Sequence, residues 1–387
     1  MALPAQPFFA TPEQRLAWAR QRFFERGEAP TGLVSEALIQ SWQRCVRAGR
    51  EGSERVAFEP VSAVRLDSAL RRSRQLCEAA AESFQRLELA LGGTGCRLLL
   101  ADADGMIVRL SQAPTKGPSA AVLPHLARLG VNVSESLLGT NAPGVVLRTG
   151  QACSVSGPEH FFDQVAAIHC AAAPIRDTLG RLAGVLDLSI EDRGFGFDAQ
   201  PLVGMYASAI ENRLLRAQSG EHLVVEFQAS PDVLGTPLAG LIGIAPDGRV
   251  AWMNGMAARL VGVQAPQSEA GSAEALLGLA MAALLAHSRH GELALLRLPN
   301  GLNVWMRVQL QARDGSRGVF AAAGARATEP EAAAPVTAPV AAPSLIDASR
   351  ELIARTVQEC GGNISEAARR LGVSRGRVYR QMRGGAP

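Results

Sequence analysis

The hydrophobic positions in the first part of this chain recur at helical spacing. Thr11 is followed by Pro12 and Gln14, a combination typical of a helix start. A second helix is predicted from Ser35, and its inward face is formed by apolar residues at positions 38, 42, 45 and 46. Gly49 ends this helix. Two short helices are therefore expected before residue 50.

After Pro60 the apolar positions recur at alternating steps of four and three, which predicts one long helix with a heptad seam. The seam comprises Leu66, Leu70, Ser73, Cys77, Ala80, Phe84, Leu87 and Leu91. Its polar and small members argue against an autonomous coiled coil. Two interpretations stay open: the seam packs on its own domain, or it pairs with the same seam of a second copy.

From Cys96 onwards, short apolar runs bounded by turn residues predict strands. A β-hairpin is expected from residues 97–101 and 106–110, joined by the turn Asp102–Gly105. Asn141 and Pro143 then predict a helix start, and further strands are expected at 152–156, 168–175 and 181–190. A helix over residues 198–218 closes the unit. Helices followed by antiparallel strands and a closing helix indicate an α+β sandwich.

The next stretch predicts a second α+β unit. Residues 241–262 read as a strand, a Pro-Asp-Gly turn, a strand and a helix that begins at Asn254. Residues 292–298 and 302–311 predict a hairpin over Pro299-Asn300-Gly301, and part of a further strand is expected at 318–323. The apolar run 275–286 predicts a core helix, since it is too short to span a bilayer. Residues 325–343 are rich in alanine and proline and predict an extended linker.

The end of the chain predicts three short helices. Asn363 and Ser374 are typical N-caps of the second and third, and Gly372 gives the turn between them. A helix, a glycine turn and a second helix with an arginine-rich outer face indicate a helix-turn-helix, whose last helix enters the major groove of DNA. The predicted DNA-binding residues are Asn363, Ser374, Arg375, Arg377, Tyr379, Arg380 and Arg383. A helical hairpin with a merely solvated basic face is the alternative.

Charge supports the nucleic-acid interpretation. Residues 344–387 contain eight arginines and four carboxylates, a net charge of +4, while the whole chain carries +3. The other residues therefore sum to about −1. The positive excess is confined to the predicted helix-turn-helix, as expected of a surface that binds phosphates.

Several other classes of protein are excluded by what the sequence lacks. No signal peptide is predicted at the N-terminus, and the six cysteines show no zinc-ligand spacing, so a cytoplasmic protein with reduced thiols, no metal and no cofactor is expected. Lys116 is the only lysine and precedes Gly117, whereas a P-loop needs lysine followed by serine or threonine. No HExxH or GxGxxG motif occurs. The chain is therefore predicted not to be an enzyme.

Three sets of motifs resemble known bacterial families. The pattern from Gly362 to Arg375 resembles the Fis-type helix-turn-helix. The segments VSESLLGTNAPG, GPEHF and CAAAPIRDTLGRLAGVLDLS are similar to the GAF domain of the acetoin-catabolism-regulator family, and ALIQSWQRCVRAG is similar to the helical segment before it. Residues 221–325 are similar to a PAS domain in the order of their elements. The predicted domains are a helical leader (1–92), a GAF domain (93–220), a PAS-like domain (221–325), a linker (326–343) and a Fis-type helix-turn-helix (344–387).

The resemblance implies a sensory GAF domain and a regulator of transcription. Members of the family usually carry an AAA+ ATPase before the helix-turn-helix, and this chain has the alanine-proline linker there. We therefore expect a homodimer that binds a near-palindromic operator without hydrolysing ATP. The alternative is a sensor or adaptor that does not bind DNA and modulates a full-length AAA+ regulator by hetero-oligomerisation.

A small-molecule effector is expected in the GAF domain, between the sheet and the helices around it. The predicted pocket residues are Ser134, Asn141, His160, Phe161, Cys170, Ala172, Ile175 and Asp177.

Overall fold

The computed structural model of the protein describes residues 11–112, 122–263, 271–290, 293–311 and 317–318, and position 364. The chain divides into a unit of residues 1–322 and a unit of residues 323–387. All the helices and strands named below lie in the first unit. Apart from position 364, the predicted helix-turn-helix lies outside the described residues, and so do all of its proposed DNA-binding residues.

Among the described residues, eight α-helices accompany the first of two antiparallel sheets. They are α1 (Pro12–Arg20), α2 (Glu36–Arg47), α3 (Ala63–Arg72), α4 (Arg74–Ala90), α5 (Leu123–Leu126), α6 (Glu135–Leu138), α7 (Ala142–Thr149) and α8 (Ala199–Ala217). The first sheet consists of β1 (Arg97–Asp102), β2 (Ile107–Leu110), β3 (Cys153–Ser156), β4 (Ile168–Arg176) and β5 (Leu182–Glu191), in the order β2-β1-β5-β4-β3.

Helix starts follow the predicted caps. Thr11 Oγ1 accepts a hydrogen bond from Gln14 N at 3.3 Å, and Ser35 Oγ accepts one from Leu38 N at 3.4 Å. Asn141 Oδ1 accepts one from Gly144 N at 2.8 Å. Each cap satisfies a backbone N–H that has no partner within its helix.

The prediction of one long helix after Pro60 is wrong in one respect. It is divided into α3 and α4 at Ser73, whose backbone (φ −90°, ψ 9°) leaves helical geometry. Most of the seam in α4 packs within its own domain, because Ala80, Phe84 and Leu87 are buried in a core shared with the first sheet and α8. The structure therefore favours the intradomain interpretation of this seam. In α2, Val46 was expected to face inward and is 49% exposed, since Trp42 and Cys45 fill the inward side.

The first sheet has a hydrophobic core on each face. One core contains Leu98 and Leu100 of β1 together with residues of α4 and α8. The other contains Leu99 together with residues of α2, α5, α6 and α7. Since successive side chains of a strand point to opposite faces, a sheet that is apolar at nearly every position must be covered on both sides.

The second sheet has six strands. They are β6 (Leu223–Gln228), β7 (Gly240–Ile244), β8 (Val250–Met253), β9 (Ala294–Arg297), β10 (Asn303–Gln311) and β11 (Arg317–Gly318). Their order is β11-β10-β6-β7-β8, and β9 pairs with the first part of β10. Helices α9 (Gly255–Val261), α10 (Ala273–Leu277) and α11 (Met281–His290) belong to the same region.

Most elements of this region agree with the sequence patterns. Asn254 caps α9 as predicted, by accepting from Ala257 N at 2.8 Å. The core helix expected at 275–286 is instead two helices, because Gly278 ends α10 with a left-handed backbone (φ 71°). Strand β6 has no counterpart among the predictions. Among the described residues, no helix combines the length and apolar composition needed to cross a membrane.

Helix α8 contacts both sheets. Leu214 is buried in the core of the first sheet, and Leu215 is buried against Val224 and Trp252 of the second. Asn212 Oδ1 accepts a hydrogen bond at 2.8 Å from Asn254 Nδ2, the side chain that caps α9. The mixed α and β architecture with two antiparallel sheets confirms the predicted α+β fold class.

Candidate functional site

A small cavity lined by buried residues lies between the first sheet and helices α5, α6 and α7. Its free space is about 20 Å³, room for a single water molecule. We call it the carboxyl cavity, after the one ionisable carboxyl group in its wall. The lining residues are Leu99, Leu126, Val133, Leu138, Asn141, Pro143, His160, Val165, Ile168, Cys170, Asp187 and Ser189.

Strand register brings the polar residues of the sheet to this cavity. Asp187 of β5 lies opposite Leu99 of β1, and Ser189 lies opposite Cys170 of β4. Because side chains alternate along a strand, Asp187 and Ser189 share one face while Leu186 and Leu188 point to the opposite core. Two polar side chains of one strand are thereby placed under the helices.

The polar groups of the wall are connected by short contacts. Ser189 Oγ donates to Asp187 Oδ2 at 2.7 Å and lies 3.3 Å from Cys170 Sγ. His160 Nε2 lies 3.6 Å from Cys170 Sγ, and His160 Nδ1 lies 2.9 Å from the Gly157 carbonyl oxygen. An N–H at Nδ1 donating to this carbonyl leaves Nε2 as an acceptor for the thiol. The second carboxyl oxygen, Asp187 Oδ1, is buried and has no hydrogen-bond partner among the described residues.

Burial controls the protonation of these groups. Asp187 is 2% exposed, and its removal from water raises the pKa of its carboxyl group to about 7, although the Ser189 hydrogen bond opposes the shift. Burial lowers the pKa of His160 to about 4 and raises the pKa of the Cys170 thiol well above its ordinary value. At neutral pH the cavity wall therefore carries a neutral imidazole, a thiol and a carboxyl group whose pKa is raised towards neutrality.

The helices that cover the cavity are held by the N-terminal segment. Arg44 of α2 forms a bidentate ion pair with Glu135 of α6, with N···O distances of 2.6 and 2.8 Å. Ser41 Oγ lies 2.9 Å from Glu135 Oε2 and 2.7 Å from Thr140 Oγ1. Arg20 Nη1 donates to the carbonyl oxygen of His160 at 2.9 Å. Movement of α6, or of the segment that carries His160, is thus coupled to α1 and α2.

The structure brings three of the eight predicted pocket residues to the cavity wall, namely Asn141, His160 and Cys170. Ala172 is buried in the core on the same face of β4 without lining the cavity. Phe161 is buried and packs against Phe24 and Phe162, with ring centroids 5.6 and 5.1 Å away.

The remaining three predicted residues lie elsewhere. Ser134 precedes α6 and lines a separate surface depression with Arg44 and Arg50. Ile175 points to the opposite face of the sheet, since it is an odd number of positions from Cys170 along β4. Asp177 forms the β4–β5 turn, where its Oδ1 accepts from Leu179 N and Arg181 N, each at 2.9 Å.

Sequence reasoning missed Asp187 and Ser189. The signal was present, because a carboxylate and a hydroxyl interrupt the otherwise apolar strand LAGVLDLSI at positions that share a face. A charged residue in the centre of a buried strand is uncommon and marks a candidate site.

Comparison with known proteins matches two separate parts of the chain. Residues 11–213, more than half of the chain, match the family described as MimR, N-terminal domain. This chain belongs to the MimR N-terminal domain family. The carboxyl cavity and its polar wall lie within the MimR N-terminal domain. Residues 344–383 match the family described as bacterial regulatory protein, Fis family, over the segment predicted to be a helix-turn-helix.

Similar characterised proteins are regulators. The acetoin catabolism regulatory protein of Cupriavidus necator is 32% identical over 230 residues, covering 57% of this chain and 34% of that protein. The propane 2-monooxygenase operon transcriptional activator MimR of Mycolicibacterium smegmatis is 30% identical over 201 residues, covering 51% of this chain and 32% of that protein. The chain thus spans about a third of the length of these relatives.

A solved structure also resembles the chain. The crystal structure of the E. coli DhaR(N)-DhaL complex has a chain that is 17% identical, with a TM-score of 0.44, covering 71% of this chain and 99% of its own length. Together the family matches confirm the predicted resemblance to acetoin-type regulators that carry a Fis-type helix-turn-helix. The relatives also agree with the prediction of a regulator and not an enzyme.

Proposed function

We propose that this protein is a transcriptional regulator that binds duplex DNA through residues 344–387 and responds to a small molecule in its N-terminal domain. The observation that carries the proposal is the presence, in one chain, of a MimR N-terminal domain and a Fis-family segment. In this proposal residues 221–325 form a PAS-like domain, and residues 326–343 link it to the DNA-binding domain.

The predicted recognition helix supplies the DNA contacts in this proposal. Ser374 and Arg375 stand at its N-terminal end, the part of such a helix that reaches base edges. Arg377, Tyr379 and Arg380 are assigned to phosphates or bases, and Arg383 to the phosphate backbone. Because a single small module binds weakly, a homodimer on a near-palindromic operator is part of the proposal.

Regulation would proceed without ATP hydrolysis by this chain. Its only lysine is followed by glycine, and the segment between the second sheet and the Fis-family match is an alanine-proline stretch. The protein then acts by binding an operator or by forming a hetero-oligomer with a longer regulator.

The DNA assignment is tested with the full chain and with duplexes selected from a random library by binding to it. Arg375→Ala and Arg380→Ala are each expected to weaken binding by about 1–3 kcal/mol, because each removes a contact to a base or a phosphate. The matched control is Arg65→Ala, which removes an exposed arginine from α3. Fluorescence anisotropy measures the affinities at several salt concentrations.

Two results would contradict the assignment. One is a chain without residues 344–387 that binds the selected duplexes as tightly as the full chain. The other is a loss of affinity in Arg65→Ala equal to the losses in the two recognition-helix variants.

The carboxyl cavity is the proposed effector site. Its wall is apolar except for Asp187, Ser189, Cys170, His160 and Asn141, whose amide already bonds to the backbone at Gly139 and Gly144. The cavity therefore suits a small, largely apolar molecule with one hydroxyl or carbonyl oxygen. A protonated Asp187 can donate to such an oxygen, and an ionised one can accept from a hydroxyl. Since the free space holds only one water, a larger molecule must displace α6 or α7. The Arg44–Glu135 pair joins α6 to α2.

A thermal-shift screen with small alcohols, ketones and aldehydes tests the effector site. A compound that stabilises the wild-type chain is expected to lose its effect in Asp187→Leu, which removes the polar group and keeps the branched shape of the side chain. Ser134→Ala is the control, because that side chain lies away from the cavity. An unchanged shift in Asp187→Leu would place the effector elsewhere.

A further inference from the structure

A second concavity lies between helices α4 and α8 and the second sheet. Its volume is about 430 Å³, within the roughly 300–1,000 Å³ typical of small-molecule sites. Its wall includes four arginines, Arg86, Arg213, Arg216 and Arg307, and a single carboxylate, Glu226. We call it the arginine cleft.

The arginine cleft has more positive than negative charge. Glu82 pairs with both Arg86, at 2.5 Å, and Arg213, at 2.7 Å. Glu226 pairs with Arg216 at 3.2 Å. Among the described residues, Arg307 has no ion pair, so four guanidinium groups face two carboxylates. The local net charge is therefore +2.

This excess stands out against the charge of the surrounding chain. Residues 1–343 together carry about −1, because the positive charge of the sequence is concentrated after residue 343. A cleft with a net charge of +2 in a region that is slightly negative concentrates positive potential where the walls limit the access of water.

The sheet register explains why Arg307 faces the cleft. Arg307 of β10 lies directly opposite Glu226 of β6, so both side chains lie on the sheet face that also carries Val224 and packs on α8. Glu226 is buried, accepts from Gly235 N at 2.7 Å and pairs with Arg216. The cross-strand neighbour of Arg307 is thus already engaged, and the Arg307 guanidinium has donors left for a ligand.

We propose that the arginine cleft binds a small polyanion with two or more phosphate or carboxylate groups, and that Arg307 and Arg213 are its main ligands. Guanidinium groups bind these anions through paired N–H donors. The cleft shares no lining residue with the carboxyl cavity. Because α8 belongs to the core of the first sheet and also packs on the second, occupancy of the cleft would stabilise the contact between them.

Isothermal titration calorimetry of the full chain with pyrophosphate and with citrate tests the proposal, at an ionic strength matched with sodium chloride. Saturable binding of one anion per chain is expected for at least one of the two, and their comparison distinguishes phosphate from carboxylate chemistry. Arg307→Ala should weaken binding about tenfold or more, because it removes a charge-assisted interaction. The control Arg297→Ala removes an exposed arginine from β9 of the same sheet, outside the cleft, and should change the affinity less than twofold.

One further variant should change the polyanion affinity in the opposite direction. Glu226→Gln keeps an acceptor for Gly235 N and removes a negative charge from the wall, so polyanion binding should tighten. Circular dichroism in chloride checks that each variant is folded.

Three outcomes would overturn the proposal. They are the absence of saturable binding for both anions at millimolar concentration, an equal loss in Arg307→Ala and Arg297→Ala, and a weakened affinity of Arg307→Ala for duplex DNA with unchanged affinity for both anions. The last outcome would assign Arg307 to the DNA-binding surface.

Discussion

The carboxyl cavity and the arginine cleft differ in how completely secondary structure covers them. The first sheet has a hydrophobic core on both faces, and the cavity inside one core is lined by buried residues and has room for one water. At the second sheet, α8 covers part of one face and leaves an open cleft of about 430 Å³ beside it. Enclosure raises the pKa of the Asp187 carboxyl group, whereas the arginines beside the open cleft remain accessible to water and to ions.

The two regions also differ in how a buried tryptophan side chain is held. Trp42 is fully buried, contacts the rings of Phe23 and Phe24 at 5.3 Å, and donates from Nε1 to the Glu159 carbonyl oxygen at 2.8 Å. Trp252 of the second sheet is 4% exposed, and its Nε1 has no partner among the described residues. The first ring is fixed by packing and by a hydrogen bond, and the second by packing alone.

The largest expected effect on stability comes from substituting Trp42. Trp42→Ala should lower the free energy of unfolding by about 3–5 kcal/mol, because it leaves a cavity in the core that joins the N-terminal helices to the first sheet. Denaturant unfolding followed by circular dichroism measures the loss. Val46→Ala is the matched control on the same helix, and its half-exposed side chain should contribute less than about 0.5 kcal/mol. Equal losses in the two variants would show that α2 is not part of the hydrophobic core on this face of the first sheet.

The next effect concerns the pH dependence that Asp187 gives to stability. Its pKa in the folded protein, about 7, lies above the ordinary value of 3.8, so the folded state binds the proton more tightly than the unfolded state. Stability from this group is therefore present at low pH, falls as the pH rises from about 4 to about 7, and is absent above that window, with a slope of at most about 1.4 kcal/mol per pH unit.

Asp187→Asn removes this titration. The difference in unfolding free energy between pH 5 and pH 8 should be smaller in the variant than in the wild type, and the two proteins should differ most at pH 8, where only the wild type carries a buried charge at this position. Unfolding curves at pH 5, 6, 7 and 8 make the comparison. Parallel pH profiles would mean that the Asp187 carboxyl group is hydrated in solution.

The smallest effect is expected at Trp252. Trp252→Phe removes a buried donor that makes no hydrogen bond, so it should change the free energy of unfolding by less than about 1 kcal/mol. Trp42→Phe breaks a hydrogen bond and leaves the Glu159 carbonyl oxygen without it, which should cost about 1–3 kcal/mol. If the two substitutions have the same effect on unfolding, the proposed difference between the regions does not hold.

Local signals in the sequence predicted most of the elements. The caps at Thr11, Ser35, Asn141 and Asn254 mark real helix starts, because capping depends only on a side chain and the next three residues. The Pro299-Asn300-Gly301 turn marks a real hairpin for the same reason. Strand β6 was not predicted, and the break at Ser73 was missed because the seam continues across it.

The candidate site was only partly predictable. Asn141, His160 and Cys170 belong to motifs that identify the family resemblance, and they line the cavity. Ile175 could have been set aside from its parity with Cys170, since strand alternation is a local rule. The positions of Asp187 and Arg307 depend instead on which strands are neighbours and on what covers them.

The sequence by itself determined the α+β class, the helix and strand starts with local caps and turns, and the concentration of positive charge after residue 343. These follow from interactions between residues close in the chain and from composition. Only the tertiary structure decided that Asp187 is enclosed without a partner for one oxygen and that Arg307 faces an open cleft. The reason is physical: the pKa and the ligands of a charged group depend on burial and on neighbours distant in sequence, which spacing along one chain does not specify.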